Sequence, residues 1–317
     1  MVNILKKSVF LVTGGTGLVG LSIVNKLVDN NQEVRVISRR IDNRFAPNIS
    51  VYQGDITEYN DLKRALSGCT GVIHCAGEKN DTSEMERINV AVTKNIFNLA
   101  RDMNIEIFIH LSSVGVIGKT SSHIIDESSE CNPMNTYEKT KNEAEQIVRQ
   151  GLPNGKVIIL RPTNVFGPST LTQWLELNLN SKLRSFIKGN ENAHLVFVDD
   201  IAEATYHLLT YHATDDVETY IISSDEEQGN TFHDIQKMLS SKIVSLPAPF
   251  AIAAPLIFPY LLRLIKNRKT NFGNIIYSSN KLCKTGFKYK FGLQGGLKFS
   301  LNHIKKQQII NVASNSE

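Results

Sequence analysis

The segment Thr13-Gly14-Gly15-Thr16-Gly17-Leu18-Val19-Gly20 constrains this chain more than any other. It stands between an apolar run at 8–13, which reads as a buried strand, and an amphipathic run at 18–30, which reads as a helix. Glycines at 14, 17 and 20 give the spacing GxxGxxG. Lacking a Cβ, they permit a tight strand-to-helix turn and close backbone approach to a pyrophosphate, while the helix start supplies unpaired N–H groups and a positive dipole end. A glycine-rich turn without a ligand is the plainer alternative, and the position in the first strand–turn–helix unit argues against it. Gly14, Thr16, Gly17, Leu18 and Val19 are the first candidate dinucleotide contacts.

Beyond this turn, runs rich in β-branched residues alternate with longer amphipathic segments to about Leu160, the pattern of βαβ units in a parallel sheet. Strands are expected at 33–38, 50–53, 71–75, 105–112 and 156–161, and helices at 59–66, 85–103 and 136–150. A later pair of strands, 194–198 and 218–223, flanks a helix at 201–210 and is expected to return the chain to the sheet. The fold class is α/β: a Rossmann-type doubly wound parallel sheet with a smaller, mainly helical C-terminal substrate-binding cap. Residues 1–167 and 193–225 are assigned to the dinucleotide-binding domain, and 168–192 with 226–317 to the cap.

The residue that selects the dinucleotide belongs at the end of the second strand, about 20 residues past the glycine loop. That place holds Ser38-Arg39-Arg40. An acidic residue would accept from a ribose 2′-hydroxyl and repel a 2′-phosphate; Arg39, with Arg40 beside it, suits the phosphate, so NADP(H) is favoured and NAD(H) is the alternative. Asp55 and Ile56 close the third strand, where a carboxylate can meet an adenine amino group and an apolar side chain its ring. His74-Cys75-Ala76-Gly77 ends the fourth strand, and its small residues Cys75, Ala76 and Gly77 leave room for the dinucleotide across the sheet edge. His74 reads as a packed core histidine.

Composition narrows the classes of function. With 35 Lys+Arg against 31 Asp+Glu, the net charge of +4 is too small and too scattered for nucleic acid to be the main partner, though a mildly basic surface suits a small anion. Cys69, Cys75, Cys131 and Cys283 form no CxxC pair and no zinc spacing, and read as reduced thiols of a cytoplasmic protein. No secretory signal is read at the start of the chain. Residues 246–265 are apolar, about long enough to span a bilayer, and flanked by Lys266, Arg268 and Lys269. Pro247, Pro249, Pro255 and Pro259 interrupt them, so a covering helix is expected rather than stable membrane insertion.

Together with Leu111-Ser112-Ser113, Gly118, Tyr137-Glu138-Lys139-Thr140-Lys141, Arg161-Pro162 through Gly167-Pro168, and Val198-Asp199-Asp200, these motifs resemble the extended short-chain dehydrogenase/reductase family. Nucleotide-sugar epimerases, dehydratases and reductases and the 3β-hydroxysteroid dehydrogenases belong to it, and the likeness covers nearly the whole chain. The resemblance implies a catalytic set of Ser113, Tyr137 and Lys141. Tyr137 and Lys141, one helical turn apart, share a face; the ammonium is expected to lower the phenol pKa, Tyr137 to move the hydroxyl proton during hydride transfer, and Ser113 to bind the same oxygen. It further implies that Asn89 orders the active-site helices, and that Leu111, Pro162, Asn164 and Val165 lie along the nicotinamide.

Asp199-Asp200 looks like an acid/base pair, yet Asp200 with Glu203 fits a helix capping box, and the structural reading is preferred. The implied substrate is a nucleotide-linked sugar bound by Ser113 and Asn164, with Arg184, Lys188 and Arg263 available for its diphosphate. Val114-Gly115 after Ser113 argues against a 4,6-dehydratase, whose acidic pair belongs there. The alternatives are an enzyme acting on an apolar alcohol at a membrane surface and a non-catalytic dinucleotide-binding protein. A homodimer pairing the helices at 85–103 and 136–150 is the family's usual assembly.

Overall fold

The computed structural model describes residues 8–40, 44–46, 49–176, 191–211, 215–239 and 275–314, the side chains of 173–176 and 308–314 excepted. In chain order the first half contains β1 (Val9–Thr13), α1 (Leu18–Asp29), β2 (Glu33–Ser38), β3 (Ser50–Gln53), α2 (Tyr59–Leu66), β4 (Gly71–His74), α3 (Val92–Asp102) and β5 (Ile107–Leu111). There follow β6 (Ile124–Ile125), α4 (Thr136–Val148), β7 (Lys156–Pro162), β8 (Asn164–Phe166), α5 (Pro168–Glu176), β9 (Leu195–Phe197), α6 (Val198–Thr210) and β10 (Val217–Ile222). The C-terminal part adds α7 (Phe232–Leu239), β11 (Ile276–Tyr277), α8 (Asn280–Lys284) and α9 (Gly292–Ser314).

Seven strands form one parallel sheet in the order β10-β7-β5-β4-β1-β2-β3. Such a sheet is covered on both faces, which is why its central strands β1, β4 and β5 are near-continuous apolar runs, while β2 and β3 toward one edge carry polar and exposed residues. Ile23, Val24 and Leu27 of α1 and Ile201, Ala204 and Leu208 of α6 cover one face. Leu62 and Leu66 of α2, Ile96 and Phe97 of α3 and Val148 of α4 cover the other, where Phe97 meets Phe108 edge-on with ring centroids 5.1 Å apart. The strand order reverses between β1 and β4, opening a crevice at their carboxyl ends where ligands of doubly wound sheets bind.

Three expectations are corrected. The segment expected as a strand at 194–198 does not rejoin the main sheet: β9 pairs in parallel with β8 in a separate two-stranded sheet. That departure lets Phe166 and Phe197, with rings 5.4 Å apart, enter a second core with Leu171, Ile235, Leu293 and Leu297. The helix expected at 85–103 begins instead as a π-turn, Glu86–Ala91, before α3. Finally, Asp200 forms no capping box with Glu203. Fully buried, it accepts the N–H groups of Lys290 and Phe291 on one oxygen and that of Gly292 on the other, and so ties the start of α9 to α6.

The outer edge of β10 is closed by side chains: Ile221 N–H donates to Glu127 Oε1 at 2.8 Å, and Ser223 N–H just beyond the strand donates to the Tyr289 hydroxyl at 3.0 Å. No helix among the described residues is long and apolar enough to cross a membrane; residues 246–265 lie outside them.

Candidate active site

The glycine turn has the tolerances its sequence implies. Gly14 adopts φ +66°, and a Cβ on it would fall 2.7 Å from Ala76 N; a Cβ on Gly20 would fall 2.2 Å from Gly14 O. Only glycine fits either place, since the turn packs at Gly14 against Cys75 and Ala76 just beyond β4, and helix α1 packs at Gly20 against the backbone of Gly14 and Gly15. Gly17 caps α1 without a side-chain hydrogen bond, and no acidic residue occupies the helix's first turn. The N–H groups of that turn and its dipole therefore face the crevice uncompensated, which fits the diphosphate of a dinucleotide.

Toward the adenosine end, Arg39 and Arg40 are exposed after β2. Asp55 has one oxygen engaged by the N–H and hydroxyl of Thr57, both at 2.9 Å, and these bonds, with the charges of Arg39 and Arg87, hold its carboxyl below the ordinary value. Ile56 packs against the α2 side of the core. Arg44, which sequence reasoning passed over, donates from Nη2 to the Thr16 carbonyl at 2.9 Å and so reaches across the glycine turn. Its signal was present as a third arginine shortly after Arg39 and Arg40.

His74 is a core residue, as expected. Thr93 Oγ1 gives its proton to Asn89 O at 2.6 Å, so at its 2.9 Å contact with His74 Nε2 it must accept. Nε2 therefore carries the ring proton, and Nδ1 accepts from Thr13 Oγ1 at 2.7 Å. Burial pushes this imidazole down to about 3 and keeps it neutral.

Beyond the carboxyl end of β5, Ser113 meets Tyr137, and Lys141 lies one helical turn along the same helix. Ser113 follows β5, and its Oγ accepts the Gly115 N–H at 3.1 Å while hydrogen-bonding with the Tyr137 hydroxyl. Tyr137 sits in the first turn of α4, which begins with a full capping box: Asn135 Oδ1 accepts from Glu138 N–H at 2.9 Å, and Glu138 Oε2 accepts from Asn135 N–H at 3.3 Å. Lys141 is buried, and its Nζ donates to the Leu111 carbonyl at 2.5 Å. A Cβ on Gly77 would stand 4.0 Å from that nitrogen, so Lys141 lies beside the small-residue loop that follows β4.

The electrostatics differ from expectation. Burial holds the Tyr137 phenol above its ordinary value, and the opposing influence is the hydrogen bond with Ser113, not the Lys141 charge. The lysine's own burial pushes it down to about 8, against the pull of Glu145.

Asn89 is buried in the π-turn. Its Nδ2 donates to Glu78 O at 2.9 Å and Thr140 Oγ1 at 3.0 Å, and its Oδ1 accepts Glu78 N–H at 2.8 Å. The extra residue of the π-turn thus joins the β4 loop to the residue preceding Lys141; π-turns recur at such sites. Asn164 is exposed, with its backbone N–H donating to His194 O at 2.7 Å and its Nδ2 to Ala193 O at 2.9 Å. Pro162 ends β7 in a buried position beside Ile222, and Val165 is partly buried between the two cores. Arg184, Lys188 and Arg263 lie outside the described residues.

A doubly wound parallel sheet with a glycine turn at its switch point and a serine, tyrosine and lysine gathered beyond it defines an enzyme of the extended short-chain dehydrogenase/reductase class. Within that class the chain belongs to the NAD dependent epimerase/dehydratase family, whose model matches residues 10–223. It is 25% identical over 329 residues, 96% of this chain and 98% of the other, to an N-acetyl-alpha-D-glucosaminyl-diphospho-ditrans,octacis-undecaprenol 4-epimerase of Escherichia coli O157:H7. It is 23% identical over 343 residues to a decarboxylating sterol-4-alpha-carboxylate 3-dehydrogenase of Candida albicans, covering 93% of this chain and 97% of that one. Among solved structures, the UDP-glucose 4-epimerase of Thermotoga maritima with UDP-glucose shares the fold, with TM-score 0.73, 21% identity, and coverage of 95% and 99%. Other structures of this fold were solved with NAD.

Proposed function

We propose that the protein is an NADP(H)-favouring oxidoreductase or epimerase of a nucleotide-linked sugar, acting by C4 epimerisation or 4-keto reduction through Ser113, Tyr137 and Lys141. The carrying observation is the Ser113–Tyr137 hydroxyl pair with Lys141 one helical turn along the same helix, beside the small-residue loop that follows β4. A bound nicotinamide dinucleotide supplies the hydride donor or acceptor. Tyr137 passes the proton to or from the substrate oxygen, and Ser113 donates to the same oxygen as charge develops. Lys141, fixed by the Leu111 carbonyl, keeps a positive charge beside both.

Arg39 and Arg40, with no carboxylate at the end of β2, support NADP(H) over NAD(H) and a reductase that exchanges it. The substrate would lie between the dinucleotide-binding part, 1–167 and 193–225, and the cap, 168–192 and 226–317. A cytoplasmic homodimer through α3 and α4 completes the proposal. The test is mass spectrometry of small molecules that co-purify with the native protein, followed by incubation with UDP-glucose and UDP-galactose read by NMR. A 2′-phosphorylated dinucleotide together with a sugar nucleotide is the expected pair.

The second reading, an apolar alcohol taken at a membrane surface, is favoured by the basic-flanked apolar sequence at 246–265 and by the sterol dehydrogenase relative. Co-sedimentation with liposomes separates the two: binding moves weight to this reading, and none removes its main support.

A further inference from the structure

We propose that Glu145 is a positioning residue for this site: one buried carboxylate that holds the ends of β5 and β7 against α4 and keeps a negative charge behind Lys141. The inference rests on the reading above and names a part of the machinery that reading leaves unused. Glu145 stands one helical turn beyond Lys141 and two beyond Tyr137, on the same face of α4. It is fully buried and satisfied on both oxygens. Oε1 accepts from Ser112 Oγ at 2.5 Å and Arg161 Nε at 2.9 Å; Oε2 accepts from Arg161 Nη2 at 2.7 Å and Arg149 Nη2 at 3.0 Å.

The partners say what the carboxylate is for. Ser112 precedes Ser113, and Arg161, itself buried, precedes Pro162, so the carboxylate links the helix that carries Tyr137 and Lys141 to the two strand ends that border the nicotinamide pocket. Stability alone is a poor reason for such a pair, because desolvating two charges offsets much of their attraction and apolar replacements commonly do as well.

Charge gives an independent argument. Around Lys141 stand Cys75, His74 and His110 from β4 and β5, and Tyr137 and Glu145 from its own helix. Burial pushes the Cys75 thiol up to about 12, His74 down to about 3 and His110 well below its ordinary value, and it raises Tyr137. Each of these is neutral near pH 7. Glu145, held in the ionised form chiefly by Arg161 against its own burial, is the anion left to oppose the desolvation of Lys141.

The experiment follows the titration of Lys141 by competitive acetylation with acetic anhydride across pH, read peptide by peptide by mass spectrometry in the full chain. Glu145→Gln keeps the side-chain shape and removes the charge, and the midpoint for Lys141 is expected to fall by about 1–2 pH units. Because that variant leaves Arg161 buried and unpaired, the double variant Glu145→Gln/Arg161→Met is measured beside it, with folding checked by circular dichroism. A lowered midpoint in either folded variant supports the assignment. An unmoved midpoint overturns it, and so does loss of fold in both, which would make the pair purely structural. The labelling needs no substrate, so a protein that turns over neither UDP-glucose nor UDP-galactose fails the proposed function while its Lys141 midpoint still tests the role of Glu145.

Discussion

Removing a single oxygen, by Tyr137→Phe, leaves the ring and the helix in place while deleting the group that the proposed function assigns to proton exchange with the substrate. Turnover is expected to fall to background with dinucleotide affinity largely unchanged, as measured by steady-state kinetics and fluorescence titration; normal turnover would refute the mechanism. Arg39→Asp reverses the charge where a 2′-phosphate is expected, and the affinity ratio should swing from NADP(H) toward NAD(H). An unchanged ratio would show that Arg39 does not read this phosphate. The buried His74 makes a prediction about acid. Its folded value of about 3 lies below the ordinary 6.5, so between those pH values the unfolded chain binds a proton that the folded chain refuses. Its contribution to stability is full above pH 6.5 and is lost progressively as pH falls toward 3. Thermal melts of His74→Gln should show a shallower decline over that window, His110 supplying the remaining slope. At this scale the sequence pointed to candidate side chains and not to whom they touch. Tyr137 and Lys141 were legible because four positions of helix put them on one face, whereas the partner of Asp200 lies 90 residues away, beyond any local pattern.

Elements were more readable than contacts. The strands β2 and β3 have the bounds expected of them, because short β-branched segments bounded by polar and turn-forming residues declare themselves locally even where, as in β3, the strand is only half-buried. The π-turn was not legible, since one inserted residue scarcely alters a helical pattern, and its reason for being there, the Asn89 bonds to Glu78 and Thr140, is tertiary. Nor was the exit of β9 from the main sheet, because a short strand reads the same whichever partner it takes. The turn between β1 and α1 makes the sharpest prediction about an element. In Gly20→Ala the new methyl would stand 2.2 Å from Gly14 O, so either the turn or the helix must move. The expected result is a loss of roughly 1–3 kcal/mol of stability together with much weaker dinucleotide binding, measured by thermal denaturation with and without NADPH. Unchanged melting and binding would mean that the turn is slack.

Taken whole, the molecule is a covered parallel sheet whose second core, around Phe166, Phe197 and Leu293, fastens the C-terminal helices to the same end as the crevice. A ligand seated there stabilises only the folded chain. NADPH at a hundred times its dissociation constant should therefore add about 2.7 kcal/mol, and NADH at the same concentration less. Differential scanning fluorimetry checks this; equal shifts would count against selection for the 2′-phosphate. Family and fold could be read from the residues because they rest on local pattern, while the role of the Glu145 carboxylate could not, since Ser112 and Arg161 reach it from two distant strand ends and only Arg149 lies on its own helix. The arrangement at the rim of β10 also bears on how the protein behaves in a crowded solution. An outermost strand ordinarily invites another chain to zip alongside it, yet the carboxylate of Glu127 and the phenol of Tyr289 already occupy amide hydrogens such a visitor would need. Those two side chains act as stoppers, and they hinder growth of the sheet at this edge.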